Sequence, residues 1–217
     1  MKYVFSILLL VIMQACISCD PTGTAKCEKE YSFELSLSLS TDLDTFTLQD
    51  TIWIESAIDM KLLDLVSGDS IMVDSFDFMI YSKISKVIDT IGFAHGENSF
   101  MYLNKIGEFQ VQNFSNGSKG RLVYAIKHGK QELRIGMIPK NTGLYDIVFY
   151  NLSDDLINLE FPEQCTVNIK NINYRMNMGN NNNFHLVMDA YKQFYPNSLY
   201  NEDGFNSSGG YAFVVIE

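Results

Sequence analysis

The sequence predicts a mainly β protein, an immunoglobulin-like antiparallel β-sandwich with one short C-terminal helix. Three observations carry that expectation. Residues 31–40 alternate strictly between apolar and polar, a period of two that puts every apolar side chain on one face of a strand. Strand-like runs then follow one another with turn clusters between them and no long helical stretch, the spacing of a sandwich rather than of βαβ units. Finally, 47% hydrophobic against 19% charged residues in 217 is the balance of a chain that buries a core.

The order of elements starts before the strands. Met1 and Lys2 precede residues 4–13, a run in which Ser6 is the only polar member, and small residues and cysteines follow, the three-part order of a secretory signal. Ten residues rise about 15 Å as a helix, half of a bilayer core of roughly 30 Å, so the run is too short to span. Its end resembles a bacterial lipoprotein box. Cys19, preceded by Ile17 and Ser18, is the expected acylated residue. Cys16 after Ala15 is the alternative, and plain secretion with small residues at the cut is another. Parity favours Cys19, because Cys27 and Cys165 then remain as an even pair in an oxidising compartment. The expected organisation is a signal peptide over 1–18, a lipidated polar spacer over 19–30, and a β-sandwich over 31–217, with a division into two sub-domains considered near 113–120.

In the sandwich, Tyr31, Phe33, Leu35, Leu37 and Leu39 define the first strand. Phe46 and Leu48, a corner at Gln49 and Asp50, then Ile52 and Ile54 with Trp53 on the opposite side read as two short strands and a turn. Further strand-like runs lie at 76–81, 100–111, 121–127, 132–138, 144–150 and 166–174, and Tyr211, Phe213 and Val215 close the chain. The clearest hairpin surrounds His128, Gly129 and Lys130, read as a three-residue loop with a central Gly free to take positive φ. Residues 58–65 have mixed periodicity and read as a helical turn between strands. Residues 184–194 place Phe184, Val187, Met188 and Tyr191 at helical spacing, with the Asn180–Asn183 run as cap and Pro196 as stop.

The formal charge of −10 repels phosphate backbones, so no nucleic-acid partner is expected. No cofactor is expected, and metal binding is poorly supported: His95, His128 and His185 are scattered, and residues 201–206 lack the alternation of a calcium loop and read as a solvated turn. Catalytic signatures are missing too, with no G-x-S-x-G, H-E-x-x-H or phosphate loop. Carboxylates gathered from distant strands, as in glycoside hydrolysis, stay open as an alternative.

Three features point to surfaces and modifications. Tyr195, Tyr200, Phe205 and Tyr211 are interspersed with Asn, Asp, Ser and Gly over residues 194–211, the composition that holds sugar rings or peptides, although rings folded inward over one end of the sandwich are the alternative. Cys27 and Cys165 form a disulfide if the first and late strands share a sheet, and are two free thiols otherwise. Asp-Ser/Thr-aliphatic triplets at 50–52, 69–71 and 89–91 match the O-glycosylation motif of Bacteroidetes exported proteins, with Ser70 and Thr90 the candidate acceptors.

The succession of lipoprotein box, Y-S-F-E-L at 31–35, L-D-T-F at 43–46, D-T-I-W-I at 50–54, I-P-K-N-T-G-L-Y at 138–145 and D-G-F-N-S-S-G-G-Y-A-F at 203–213 resembles a group of Bacteroidetes lipoproteins. Gln49 stands where that group has Gly. The resemblance spans most of the chain after the signal and implies a cell-envelope lipoprotein on the outer membrane, its motifs being strand and turn signatures that carry over no functional residue. The expected function is therefore a non-enzymatic binding or structural module, tethered to the membrane by lipid and meeting a glycan or an envelope protein. An envelope hydrolase and an accessory subunit of an envelope complex are the other readings.

Overall fold

The alternation at 31–39 forms the central strand of one sheet, and it buries Phe33, Leu35 and Leu37 almost completely. The computed structural model describes residues 27–40, 43–73, 78–89, 92–151, 159–160, 165–179, 182–195 and 201–217. The first sheet takes, in order, β11 (Ala125–Lys127), β12 (Lys130–Pro139), β3 (Ile52–Asp59), β1 (Cys27–Leu39), β15 (Cys165–Met176) and β14 (Leu159–Glu160), with β8 (Phe100–Ile106) also on β12. The second takes β2 (Thr45–Thr47), β16 (Tyr211–Ile216), β13 (Gly143–Tyr150), β6 (Met79–Ile88), β10 (Gly117–Val123) and β9 (Glu108–Phe114), with β7 (Gly92–His95) on β6. A hairpin of β4 (Lys61–Leu63) and β5 (Ser70–Met72) forms its own two-stranded sheet.

The core lies between the two sheets. Phe33, Ile54, Ile135 and Tyr174 come to it from the first, and Ile80, Tyr145, Phe149 and Phe213 from the second. Phe100 meets Tyr145 edge-on at 5.1 Å, and Tyr102 stacks on Phe109 at 4.0 Å. Each fully buried side chain of this size contributes about 1.5–3 kcal/mol through the area it removes from water. Most strand pairs are antiparallel, as expected of a sandwich; β1 with β15 and β16 with β2 are parallel.

Several local expectations are corrected. The run at 100–111 is two strands in different sheets, since β8 pairs with β12 and β9 with β10. The corner is Gly107 at φ +72, where a Cβ would sit 2.5 Å from the Val123 carbonyl oxygen. Residues 58–65 are not a helical turn. Ile58 ends the inward alternation of β3, and the chain turns directly into the β4–β5 hairpin. The loop at His128 has two residues, because Lys127 pairs with Lys130, and both His128 (φ 52) and Gly129 (φ 74) take the positive φ of a I′ turn. The cluster at 113–120, considered as a sub-domain break, is the β9–β10 hairpin, with Gly117 opposite Phe114 and Gly120 opposite Val111.

Among the described residues the C-terminal segment holds two α-helices where one was expected. After a 3-10 turn at Phe184–Leu186 comes α1 (Met188–Phe194), with Asp189 in its first turn and Lys192 in its last, both signs suited to the helix dipole. The residues read as a solvated turn open α2 (Glu202–Ser207), capped by the Asn201 side chain accepting from the Gly204 N–H. Of the Asn run, Asn182 accepts from the Phe184 N–H, while Asn183 takes αL geometry without a cap bond; Asn180 and Asn181 lie outside the described residues. These helices cover the outer face of the second sheet, where Phe184, Val187, Tyr191 and Phe205 pack on Val148 and Ala212. A strand covered on both faces needs no polar side, and β13 reads as the nearly continuous apolar run GLYDIVFY.

Candidate functional site

Where α1 crosses the second sheet it leaves a groove of about 490 Å³ along its edge. Successive residues of a strand face opposite ways, so Lys83 and Ser85 of β6 and Val148 and Tyr150 of β13 come up on the outer face and make the floor. Phe93 of β7, Tyr191 of α1 and Tyr195 just past the C-terminal end of that helix make the wall. The three wall rings form one cluster: Phe93 lies 4.5 Å from Tyr191 and 5.6 Å from Tyr195, which in turn lies 6.2 Å from Tyr191. Tyr195 is 45% exposed and presents its ring to solvent. On the opposite side Tyr150 stacks on its cross-strand partner Tyr81 at 6.0 Å, and the Lys119 ammonium sits 4.0 Å over the Tyr81 ring.

Two contacts fix the helix that forms the wall. The Tyr191 hydroxyl donates to the Asp146 carboxylate at 2.7 Å. Phe194 packs onto Gly92, where a Cβ would meet the ring at 2.9 Å. Asp146 is fully buried between β6, β13 and α1. Burial pushes its carboxyl up to about 6, while the Tyr191 and Ser85 hydroxyls and the Lys83 ammonium pull it the other way.

The expected aromatic site is thus divided. Tyr195 lies in the groove. Phe205 and Tyr211 are corrected: both are wholly buried, Phe205 under the helices against Phe184 and Tyr211 in the main core with its hydroxyl donating to the Leu43 carbonyl. Tyr200 lies outside the described residues, as do Cys19 and Thr90. Ser70 is exposed at the start of β5. Cys27 and Cys165 are backbone partners in the β1–β15 register. Sequence reasoning did not find Phe93, Tyr150 and Lys83, which are far apart along the chain; the signal was the second apolar face of β13, which requires a covering element.

A second polar cluster has the residue types of a catalytic site without the geometry. Glu97 is fully buried; its Oε1 accepts from the Ile84 N–H at 3.1 Å and its Oε2 from the Ser118 hydroxyl at 2.7 Å. His95 Nδ1 lies 3.2 Å from the Ser118 carbonyl oxygen, and Nε2 lies 3.1 Å from that of Asn116. The Ser118 hydroxyl donates to the Glu97 carboxylate, and the imidazole faces main-chain groups with its Nδ1 3.9 Å from Glu97 Oε2, so the direct hydroxyl–imidazole contact of a Ser–His pair is not formed. This cluster ties β6, β10 and the 3-10 turn at Glu97–Ser99 together. Among the described residues no group of three His, Cys, Asp or Glu is placed to hold a metal ion, and no helix is long and apolar enough to cross a membrane.

The two sheets and their interior define the class: a mainly β sandwich module. No family model matches the chain, and no curated protein matches it significantly. Among solved structures it is similar to the human F-spondin reeler domain, at 10% identity and a TM-score of 0.29, covering 71% of this chain and 94% of that one. It is also similar to a non-cellulosomal cohesin from the hyperthermophilic archaeon Archaeoglobus fulgidus, at 12% identity and a TM-score of 0.24, covering 66% of this chain and 91% of that one. At these TM-scores neither likeness bears on the groove.

Proposed function

We propose that this chain is a cell-envelope lipoprotein whose β-sandwich is a non-enzymatic binding module, with the groove beside α1 as the site that holds a neutral glycan. The observation that carries the reading is the exposed ring of Tyr195 on the Phe93–Tyr191 cluster, beside a floor of Val148 and Tyr150 that offers the Lys83 ammonium. Rings of this kind pack against the C–H faces of a sugar while a few polar groups direct its hydroxyls. A net charge of −10 disfavours a polyanion. Among the described residues the groove lining contains no carboxylate, and Asp146 beneath it accepts from the Tyr191 hydroxyl, so those residues do not supply the facing pair that glycoside hydrolysis uses.

The tether is the acylated Cys19, and the membrane is the partner it implies; burial of acyl chains at about 0.8 kcal/mol per CH₂ makes a multiply acylated terminus a stable anchor. Mass spectrometry of the mature N-terminus is expected to find a lipid-modified Cys19, and a free, unmodified residue there removes the anchor. For the groove, calorimetric titration with neutral oligosaccharides is expected to show binding that Tyr195→Ala abolishes while leaving the melting temperature within about 2 °C, as an exposed ring far from the main core should. Equal binding by the variant contradicts the assignment.

A further inference from the structure

Strand β9 ends the second sheet, with β10 as its neighbour on one side. Phe114 pairs with Gly117 across a two-residue turn. In such a hairpin the closing pair and every second pair after it exchange backbone bonds, so Phe114, Gln112, Gln110 and Glu108 turn theirs to β10, while Phe109, Val111 and Asn113 turn their N–H and C=O groups outward. The Phe109 N–H accordingly donates away from β10, to the Asn104 side-chain oxygen at 3.0 Å. Val111 and Asn113 have no such cap among the described residues. The other sheet edges are blunted. β11 and β2 have three residues each and, among the described residues, β14 has two. β8 carries Lys105 and a register shift against β12, and the part of β15 that β14 does not reach carries Lys170 and Arg175. Short length, Lys and irregularity are the means by which natural sheets avoid pairing edge to edge. β9 uses none of them: it is EFQVQNF, seven residues in regular register with β10, without Lys or Pro.

We infer that β9 is the edge by which two copies of this chain associate, antiparallel about a two-fold axis at Val111. The strand fits itself. Val111 is its middle residue; it meets Val111 of the second copy and exchanges both backbone bonds with it, and the Asn113 N–H of each copy donates to the Phe109 C=O of the other. Gln110 then lies opposite Gln112 of the second copy, two amides that each donate and accept. Glu108 lies opposite Phe114 of the second copy. Lys119 stands 4.9 Å over the Phe114 ring, so the carboxylate of one copy comes to the ammonium of the other. The axis makes each of these contacts twice, whereas an unrelated strand has to supply them separately. The Asn104 cap withholds the Phe109 N–H and removes one bond from each end of the ladder, which makes the dimer weak and reversible, at the small end of specific interfaces. β9 takes no part in lining the groove beside α1, so this surface is independent of the glycan reading.

Sedimentation velocity and amide hydrogen exchange test this on the intact protein, held in excess detergent where it is acylated, from about 10 μM to about 1 mM, the range of a weak dimer. The inference predicts a passage from monomer to dimer across that range. At its top, exchange at the Val111 and Asn113 amides should slow at least about threefold, while exchange at Phe109, capped in both states, stays unchanged. Val111→Pro removes an outward donor at a place where an edge strand tolerates Pro. Asn113→Lys puts an inward-pointing charge on the same edge, and it keeps the test open if the first variant folds poorly. Both variants should stay monomeric at the highest concentration. A wild-type protein that is monomeric throughout, a dimer whose Val111 and Asn113 amides exchange as in the monomer, or a dimer that survives both substitutions overturns the inference.

Discussion

Cys27 and Cys165 stand opposite each other at the head of the parallel pair β1–β15, the first register partners of a ladder that runs to Leu37 and Met176. Adjacent strands lie about 4.8 Å apart, inside the roughly 4.4–6.8 Å Cα separation that a disulfide spans. The pairing joins the start of the sandwich to a strand more than half the chain away, and parallel pairing so remote in sequence is slow to close on its own.

A bridge between these two residues is therefore expected in protein recovered from an oxidising compartment. It would stabilise the fold by up to about 4–5 kcal/mol in the chain-entropy model of a long closed loop. Thiol titration under denaturing conditions checks it: neither cysteine should react before reduction and both should react after. Two reactive thiols without reduction contradict the bridge.

The buried Asp146 sets a second expectation, on pH. Its carboxyl is raised from 3.8 to about 6, so the folded state holds its proton more tightly than the unfolded chain does. Stability from this group is full below about 4 and lost as the pH rises through about 6. The shift of about two units corresponds to a penalty on the order of 2–3 kcal/mol at neutral pH. Asp146→Asn keeps an acceptor for the Tyr191 hydroxyl and removes the ionisation, so its melting temperature should gain on the wild type between pH 4 and pH 7. A constant difference over that range would show that the carboxylate carries no such penalty.

Asp64 works with the opposite sign. It is buried, accepts from the Ser32 N–H at 2.8 Å and from the Ser67 N–H at 2.8 Å, and those backbone bonds hold its carboxyl down at about 2 against a desolvation that acts the other way. The bonds close the β4–β5 hairpin and dock it on β1 where the β1–β3 ladder has stopped. The stabilisation is present above the ordinary carboxylate value of 3.8 and lost as the pH falls through about 2. Asp64→Ala leaves a buried main-chain donor unpaired and should cost about 1–3 kcal/mol at neutral pH, read by denaturant unfolding. The variant should differ least from the wild type in acid near pH 2.

Much of this fold is legible from period two alone. The first strand, β3, β12 and the closing β16 all announce an inward face, and the sandwich follows. What was not legible has identifiable causes. The break between β8 and β9 is a change of parity: Phe100 and Tyr102 face the core at even positions, Phe109 and Val111 at odd ones, and Gly107 absorbs the shift at a φ that other residues resist. Periodicity read over the whole run merges the two strands. Residues 82–87 of β6 read S-K-I-S-K-V, which lacks the apolar–polar alternation of a strand and is too polar to stand out until its outer residues are seen to floor a groove. Tyr195 was legible as a surface ring, whereas Phe205 and Tyr211 looked the same in sequence and are core, because the short α2 folds the segment back onto the sheet.

The claim on which the account depends is that the rings beside α1 are a binding surface rather than exposed packing. The most direct measurement is to follow the aromatic side-chain resonances of Tyr195, Phe93 and Tyr150 by NMR during titration with a neutral β-1,4-linked oligosaccharide. The account predicts that these three shift progressively and saturate together, while Trp53 on the first sheet does not move. Shifts that never saturate, or that appear first on the face of Trp53, Glu55 and Arg134, would contradict it.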